Sequence, residues 1–546
     1  MEDFIDAIKK CTDFHGRATR TQYWMFVLLY VFFLAVLEVV AQYIPIGSAL
    51  VVIYNLALLI PTISISARRL HDTGRSGWWQ LLLLIPLVGA VILIVVYATK
   101  SQGDNQYGPQ PYCSPDRLYG TPDRWFVLVF LAVNYAVLIM QRNGIAFVLV
   151  PLKADLALSD AQTGWLQTAF LVPYGASQLF VGYLSDRFTR RNVLMASLAA
   201  SLLSLAGMGL VSSFNGLVAM RIILGFAQAA SVPAIASVMG DVFTAKSRST
   251  AVALYFCSYS IAMSFAGWAG GTIADMPPLE LGDTSATLAG WRTAFFTFST
   301  IGLAWLGCMA FFFREPQRAE RQQGTGLGKE GGSFGQTILS VVSVPSFMMI
   351  ALVFLLYCIV NNVREFWLPR YTLETFGMSL EEAGVFSTQS IMFSTIVGNL
   401  IGGLWADWWA AKFRSGRLMV QAIAMLIWIP ALVAIGSTAD KDFMNYGMIA
   451  WGFAFGVYSV NLWTTTFDVV DPAARATATG LLNVFGMVAS FVSPLVGYGI
   501  DPARQWYGLA DVFNYLSVLS AVCFVFIALT ILLFLKRDYR GPLQCD

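Results

Sequence analysis

The chain of 546 residues is 57% hydrophobic and only 12% charged, with a mean hydropathy of +0.65 and a formal net charge of +2. A soluble domain carries roughly a quarter charged residues, so the composition excludes a soluble globule and predicts a polytopic membrane protein with spans of about 20 residues each. The small net charge excludes a nucleic-acid binder. Seven scattered cysteines without a C-x-x-C spacing and two isolated histidines, His15 and His71, exclude a disulfide framework and a metal site.

Residues 1–23 are polar and carry Lys9, Lys10, Arg17 and Arg20, so no cleavable signal peptide is expected and the first apolar run acts as the membrane signal. That run extends from Trp24 to near Gln42, and a second from near Ile46 to Ile65. A basic segment, Ala67–Trp79, precedes a third apolar run ending near Tyr97, and a Pro-, Tyr- and Gly-containing linker follows. Basic residues beside spans are retained on the cytoplasmic side. The N-terminal tail, the 68–78 segment and the linker all meet this rule only if the third run does not cross. With Pro86 and Gly89 at its centre, residues 78–97 are therefore expected to form a broken helical hairpin that enters and leaves by one face.

From Arg124 onward, twelve apolar runs centre near residues 138, 172, 202, 226, 262, 302, 358, 394, 427, 456, 487 and 524. The longest polar interval, starting at Arg314, divides them into two sets of six. At an offset of 221, Gly182 maps to Gly403, Asp186 to Asp407 and Arg191 to Lys412. At an offset of 220, Ser159 maps to Ser379 and Gly164 to Gly384. Duplicated halves with a substrate site near the midplane are a transporter architecture. No Walker loop and no nucleophile–base constellation is present, so neither ATP-driven transport nor catalysis is expected, and no cofactor.

Charges inside spans are costly and mark cavities or pairs. Arg142, in Gln141-Arg142-Asn143-Gly144, lies deep in the first of the twelve spans, and Arg364 lies in the seventh, beside Glu365. Two guanidiniums from opposite halves can hold a carboxylate or phosphate bidentately. The alternative for each is a structural pair or a snorkelling side chain. Gln141, Gln228, Asn361, Asn461 and Trp463 are polar or aromatic positions on core spans that can line the same cavity, or simply pack.

Three motifs at the start of the chain resemble a small bacterial inner-membrane family of unknown function, the YhaH type. They are Phe14-His15-Gly16-Arg17-x-x-Arg20-x-x-Tyr23-Trp24, Arg68-Arg69-Leu70-His71-Asp72-x-Gly74-x-Ser76-Gly77-Trp78-Trp79, and Gly103-Asp104-Asn105-x-Tyr107-Gly108-Pro109. The resemblance brings no activity. Their Arg, His and Asp residues read as a solvated cytoplasmic loop, or as a lipid-headgroup or regulatory contact.

Gly182-x-Leu184-x-Asp186-Arg187-x-x-Arg190-Arg191 resembles the loop between the second and third helices of the major facilitator superfamily. Arg221-x-x-x-Gly225, Gly290-Trp291-Arg292 and Phe366-x-x-Pro369 agree with it. The resemblance covers residues 124–537 and leans toward the organic-anion branch: anion:cation symporters, organophosphate exchangers and spinster-like carriers. It implies an all-α membrane protein, a twelve-helix fold of two six-helix halves behind a small helical membrane domain. The expected segments are 1–110, a linker at 111–123, a half at 124–313, a cytoplasmic linker at 314–344 and a half at 345–546.

The function so implied is secondary or facilitative transport of a small organic anion by rocker-switch alternating access. A spinster-like lysolipid carrier and a transporter-fold sensor signalling through the N-terminal domain are the alternatives. Gly182, Asp186, Arg187, Arg190, Arg191, Arg221 and Asp407 are expected to form a cytoplasmic latch. Symporters of that branch carry carboxylates where this chain has Gln141 and Gln228, so the usual proton relay is missing and Glu365 becomes the candidate for proton coupling. The partners expected are the anion and the bilayer, with a coupling cation and a regulatory partner of the N-terminal domain as further candidates. The expected location is a bacterial inner membrane with both termini cytoplasmic.

Overall fold

The structure is a computed structural model. It describes all residues except 1, 21, 25, 28–29, 31–33, 35–36, 38–46, 85–92, 94–95, 98, 100, 110–123, 188, 244, 281–286, 314–333, 472–473, 503, 505 and 540–546. The chain forms two compact units, residues 1–130 and 131–546.

The first unit contains α1 (Glu2–Lys9), α2 (Gly47–Asp72) and a 3-10 stretch at Gly77–Leu84. Most of the first apolar run and the centre of the expected 78–97 hairpin lie outside the described residues, as do the 111–123 linker and most of the 314–344 linker. The three N-terminal motifs converge on one clasp. Arg17 Nε donates to Asp72 Oδ1 (3.1 Å), and its Nη atoms donate to the carbonyls of Gln102 (2.5 Å), Gly103 (2.9 Å) and Gly108 (2.9 Å). Arg69 donates to Asp72 and to the carbonyls of Tyr97 and Thr99. His71 stacks on Tyr107 with ring centroids 4.0 Å apart. Gly108 has φ +124°, a left-handed conformation that side chains disfavour.

This changes the reading of the motif charges: Arg17, Arg69 and Asp72 are buried and paired, not solvated. Removing one partner of a buried ion pair costs about 3–5 kcal/mol. Arg17→Ala is therefore expected to abolish hydrogen-exchange protection over Gln102–Gly108 in the full-length protein. Unchanged protection would show that the clasp does not hold that segment.

The second unit continues α3 (Arg124–Phe147), followed by α4 (Leu149–Asp155), α5 (Asp160–Arg187), α6 (Arg190–Leu210), α7 (Phe214–Ala229), α8 (Ser231–Val242) and α9 (Ala245–Asp275). A two-residue antiparallel pair, β1 (Leu279–Glu280) with β2 (Thr287–Leu288), is a small exception to the all-α expectation, and α10 (Gly290–Phe312) closes the first half. The second half contains α11 (Phe334–Val342), α12 (Pro345–Phe376), α13 (Leu380–Ala410), α14 (Gly416–Ser437), α15 (Lys441–Val469), α16 (Arg475–Ala489), α17 (Val492–Ile500), α18 (Leu509–Leu529) and α19 (Leu535–Asp538), with a π-helical turn before the last.

Counting α7/α8 and α16/α17 as broken spans gives the twelve-helix architecture. Nine described helical segments, one of them in the first unit, are long and apolar enough to cross a membrane. The spans α5, α7/α8, α9 and α15 fall outside that set. Helices that face other helices need small and polar packing residues and not an all-round apolar surface.

Where the halves meet, glycines let backbones touch. A Cβ on Gly164 of α5 would lie 2.5 Å from the Ser493 carbonyl oxygen, and one on Gly267 of α9 would lie 2.5 Å from that of Gly384 in α13. Thr168 Oγ1 donates to the Ser490 carbonyl (2.8 Å), and the Glu381 amide donates to Asp275 Oδ2 (3.0 Å). These contacts lie toward the end of the bundle away from the basic α5–α6 turn, and they seal it.

Candidate functional site

Arg142 stands on α3 and Arg364 on α12, the first span of each half. Each is preceded by a tyrosine two turns earlier, Tyr135 and Tyr357, so both sit on the same helix face as that ring. Arg142 is half-buried. Its guanidinium lies 5.1 Å from the Phe170 ring centroid and 5.4 Å from that of Tyr174, both on α5, and its Nε is buried without a hydrogen-bond partner. Among the described residues no ion pair includes Arg142. Tyr135 stacks on Tyr255 of α9 at 4.6 Å.

Arg364 is 2% exposed and lies 4.3 Å from the Trp451 ring, with its Nε also unpartnered. Trp451 belongs to an aromatic pile with Trp428 (5.0 Å) and Phe455 (5.1 Å), and Tyr357 stacks on Phe455 and Tyr458. Desolvated cation–π contacts of this kind are worth about 2 kcal/mol. They hold both guanidiniums without consuming their hydrogen-bond donors.

Glu365 connects the halves. Its Oε1 accepts from the Tyr259 hydroxyl of α9 (2.8 Å), and its Oε2 accepts from Asn361 Nδ2 (3.3 Å). Asn361 Oδ1 in turn accepts from Arg364 Nη2 (3.0 Å). Pro369, four residues beyond Glu365, has no N–H for the Glu365 carbonyl, which loosens α12 at this point. Glu365 also acts electrostatically on Arg142, Tyr135 and Tyr357.

Several expected site residues are placed elsewhere. Gln141 is buried between α3, α6 and α10, where a Cβ on Gly302 would meet its Nε2 at 2.6 Å, and its amide has no described partner. One residue along a helix is a turn of about 100°, so Gln141 points at α6 and α10 while Arg142 points at the rings of α5. Gln228 donates to the Leu138 carbonyl (3.1 Å), a backbone tie between α7 and α3. Asn461 spends its Nδ2 on the carbonyls of Gly402 (3.0 Å) and Val457 (2.9 Å). Trp463 packs near Phe354, ten residues and so about 15 Å along α12 from Arg364. Of the seven positions expected at the substrate site, Arg364 and Asn361 are hydrogen-bonded to each other, and Arg142 and Arg364 both act electrostatically on the Tyr259 hydroxyl.

Arg221 is not part of a cytoplasmic latch. It lies two turns into α7, at the end remote from the basic turn, fully buried. Nε donates to the Leu166 carbonyl (3.0 Å) and Nη1 to that of Arg142 (2.9 Å). At the basic end, Arg191 donates to the Ala310 carbonyl of α10 (2.5 Å), and Arg417 joins Asp407 (3.2 Å) to Asp468 (2.8 Å). These two contacts brace one half each. Arg190 is buried in α6. Gly182, Asp186 and Arg187 belong to α5, and their side chains lie outside the description.

Sequence reasoning missed Tyr259, Trp451, and a buried cross-half ion pair at the sealed end. There Asp160 of α5, its side chain 0% exposed, accepts from Arg370 of α12 and from Lys153 (2.5 Å), while Arg370 also reaches Glu374 (2.6 Å). The Tyr-x6-Arg repeat in both first spans was a readable signal for the paired arginines.

Two six-helix halves with a charged, aromatic-walled site between them define a membrane transporter fold. Residues 131–494 match the Major Facilitator Superfamily model, and the chain belongs to that family. It is 26% identical over 395 residues (69% of this chain, 87% of the relative) to a probable sulfoacetate transporter of Cupriavidus necator. It is 24% identical over 418 residues (72% and 91%) to the hexuronate transporter of Escherichia coli. The transporter fold is shared with a bacterial homologue of the human lysosomal transporter Spinster, solved in an inward-facing, unoccupied conformation. The TM-score is 0.64 at 19% identity, over 77% of this chain and 99% of that one. Residues 11–109 match a family of unknown function, DUF805, and the N-terminal part is 37% identical over 121 residues to the Escherichia coli inner membrane protein YhaH (21% of this chain, all of the relative).

Proposed function

We propose that the protein is a bacterial inner-membrane secondary transporter of small organic anions, working by rocker-switch alternating access. The observation that carries the proposal is the pair of aromatic-mounted guanidiniums, Arg142 and Arg364, one from each half and each with an unpartnered Nε. A carboxylate, sulfonate or phosphate ester between them meets unspent donors in a site of low dielectric, where charge-assisted bonds are strong. The relatives' printed substrates, sulfoacetate and hexuronate, are anions of this kind. The basic α5–α6 turn is cytoplasmic by the positive-inside rule. The sealed end is then external, the site opens inward, and both termini are cytoplasmic. The YhaH-like unit is an accessory membrane domain.

The test is thermal unfolding of the purified protein with galacturonate, sulfoacetate, phosphate esters and lysophospholipids, followed by flux in liposomes. An anion present at about 100 times its Kd stabilises the folded state by about 2.7 kcal/mol. Stabilisation and flux by one small-anion class support the proposal. Stabilisation by lysophospholipid alone, or binding without flux, sinks it in favour of a lipid carrier or a sensor.

A further inference from the structure

Glu365 is the acid within the transporter spans that lies far from a helix end: it is eleven residues from the end of α12. By position in the chain, the other acids of the transporter helices, Asp155, Asp160, Asp186, Asp241, Asp275, Glu374, Glu381, Glu382, Asp407, Asp442, Asp468, Asp511 and Asp538, fall in a first or last turn. An ionisable group at that depth is costly and is retained for a pathway or a relay. Glu365 is 4% exposed and has no direct cation partner among the described ion pairs. It meets Tyr259 from α9 and Asn361 from its own helix, where Arg364 is its chain neighbour and Tyr357 lies about two turns away. Arg142 and Tyr135 of α3 act on it from farther away.

We propose that Glu365 is the proton-binding group of transport and that its proton enters together with the anion that occupies Arg364. This rests on the two-arginine reading of the substrate site. In the empty site Asn361 joins Glu365 to Arg364: its Nδ2 donates to the carboxylate and its Oδ1 accepts from the guanidinium, so the Glu365 charge compensates that of Arg364. A substrate anion on Arg364 takes over that counter-charge and leaves the buried carboxylate uncompensated. A proton from water then binds Oε2. It sets an O–H donor against the Asn361 N–H donor. The Asn361 amide turns over, its Oδ1 leaves Arg364, and the Nη2 donor it had held passes to the substrate already on the guanidinium. The Tyr259 hydroxyl still donates to Oε1, so the state of Glu365 is carried to the other half through one hydrogen bond.

The experiment uses full-length protein in liposomes with galacturonate and sulfoacetate as probes, comparing wild type with Glu365→Gln. The wild type is expected to accumulate the anion against its gradient in whichever compartment is made alkaline, because proton and anion move the same way. Its affinity for the anion falls by about tenfold per pH unit wherever the empty site is ionised and the occupied site protonated. Glu365→Gln is expected to bind and exchange the anion with no pH dependence, and to lose uphill accumulation. A residue with a merely structural role would lose exchange and accumulation together. Persisting pH-driven accumulation in Glu365→Gln, or loss of exchange along with it, overturns the proposal.

If neither probe shifts the melting temperature, the failure belongs to the reading of the substrate site. Carbodiimide labelling of Glu365 in the empty protein, followed by peptide mass spectrometry, then decides alone. Labelling that rises as pH falls supports the proton site, and labelling that ignores pH overturns it.

Discussion

Replacing Arg142 with alanine is expected to lower the affinity for a transported anion by on the order of 10² to 10³-fold, with a matching fall in the initial rate of flux at low substrate. The estimate follows from leaving a desolvated anion without its partner, about 3–5 kcal/mol, at about 1.4 kcal/mol per factor of ten. Arg142→Lys keeps the charge but not the planar fork, nor its match to the Phe170 and Tyr174 faces. Its expected loss is smaller, about tenfold. The measurements are radiolabelled anion binding and counterflow in liposomes. If the alanine variant binds the anion as tightly as wild type, Arg142 is a packing residue and the anion is held elsewhere. Arg221 is the control that separates site from scaffold. It shares the Phe170 ring with Arg142 (5.1 Å) but spends its donors on backbone carbonyls. Arg221→Ala is therefore expected to lower the melting temperature more than the affinity of whatever protein remains folded.

The parts of this site that were legible in the sequence are those where a charge interrupts an apolar run. Arg142, Arg364 and Glu365 stand out because burial of an ionised group is expensive, so a single letter carries information. Polar but uncharged residues carry far less. Gln141, Gln228, Asn461 and Trp463 looked equivalent to Asn361, yet all four face their own half or bond a neighbouring backbone. Hydropathy along the chain does not report the direction in which a helix is rotated. Arg221 was misplaced for a related reason: its side of the membrane depends on counting spans, and a helix entered at Phe214 from the sealed end puts it opposite the basic turn. The N-terminal motifs were recognised as units but read as solvated, because their pairing spans up to 91 residues of sequence. The Asp160–Arg370 pair, 210 residues apart, was invisible. Each member sits near a helix end, where charges are ordinary.

That last pair should control which side of the transporter is open. Asp160 is buried between the halves with Arg370 and Lys153 as donors, and its Oδ2 has no described partner. The surrounding contacts are backbone against backbone, at Gly164 with Ser493 and at Gly497 with the Asp160 carbonyl. Such contacts are close but neutral, so the ion pair is the polar element that holds α5 to α12. Asp160→Asn leaves the Arg370 guanidinium with Glu374 alone in the sealed state, a loss of about 3–5 kcal/mol that the outward-open state, with Arg370 in water, does not suffer. A shift of that size changes the ratio of two conformations by on the order of 10² to 10³. The native Cys358, on the same helix as Arg364 and 3.4 Å from where a Cβ on Gly486 would stand, reports the change. In right-side-out vesicles its reaction with a membrane-impermeant maleimide should be slow in wild type and accelerated by at least about a hundredfold in Asp160→Asn. Asp160→Glu, which keeps the carboxylate, should stay close to wild type. Equal labelling of wild type and Asp160→Asn would mean that the glycine contacts hold the seal without the ion pair, and that the pair serves the folding of the two halves and not their rocking.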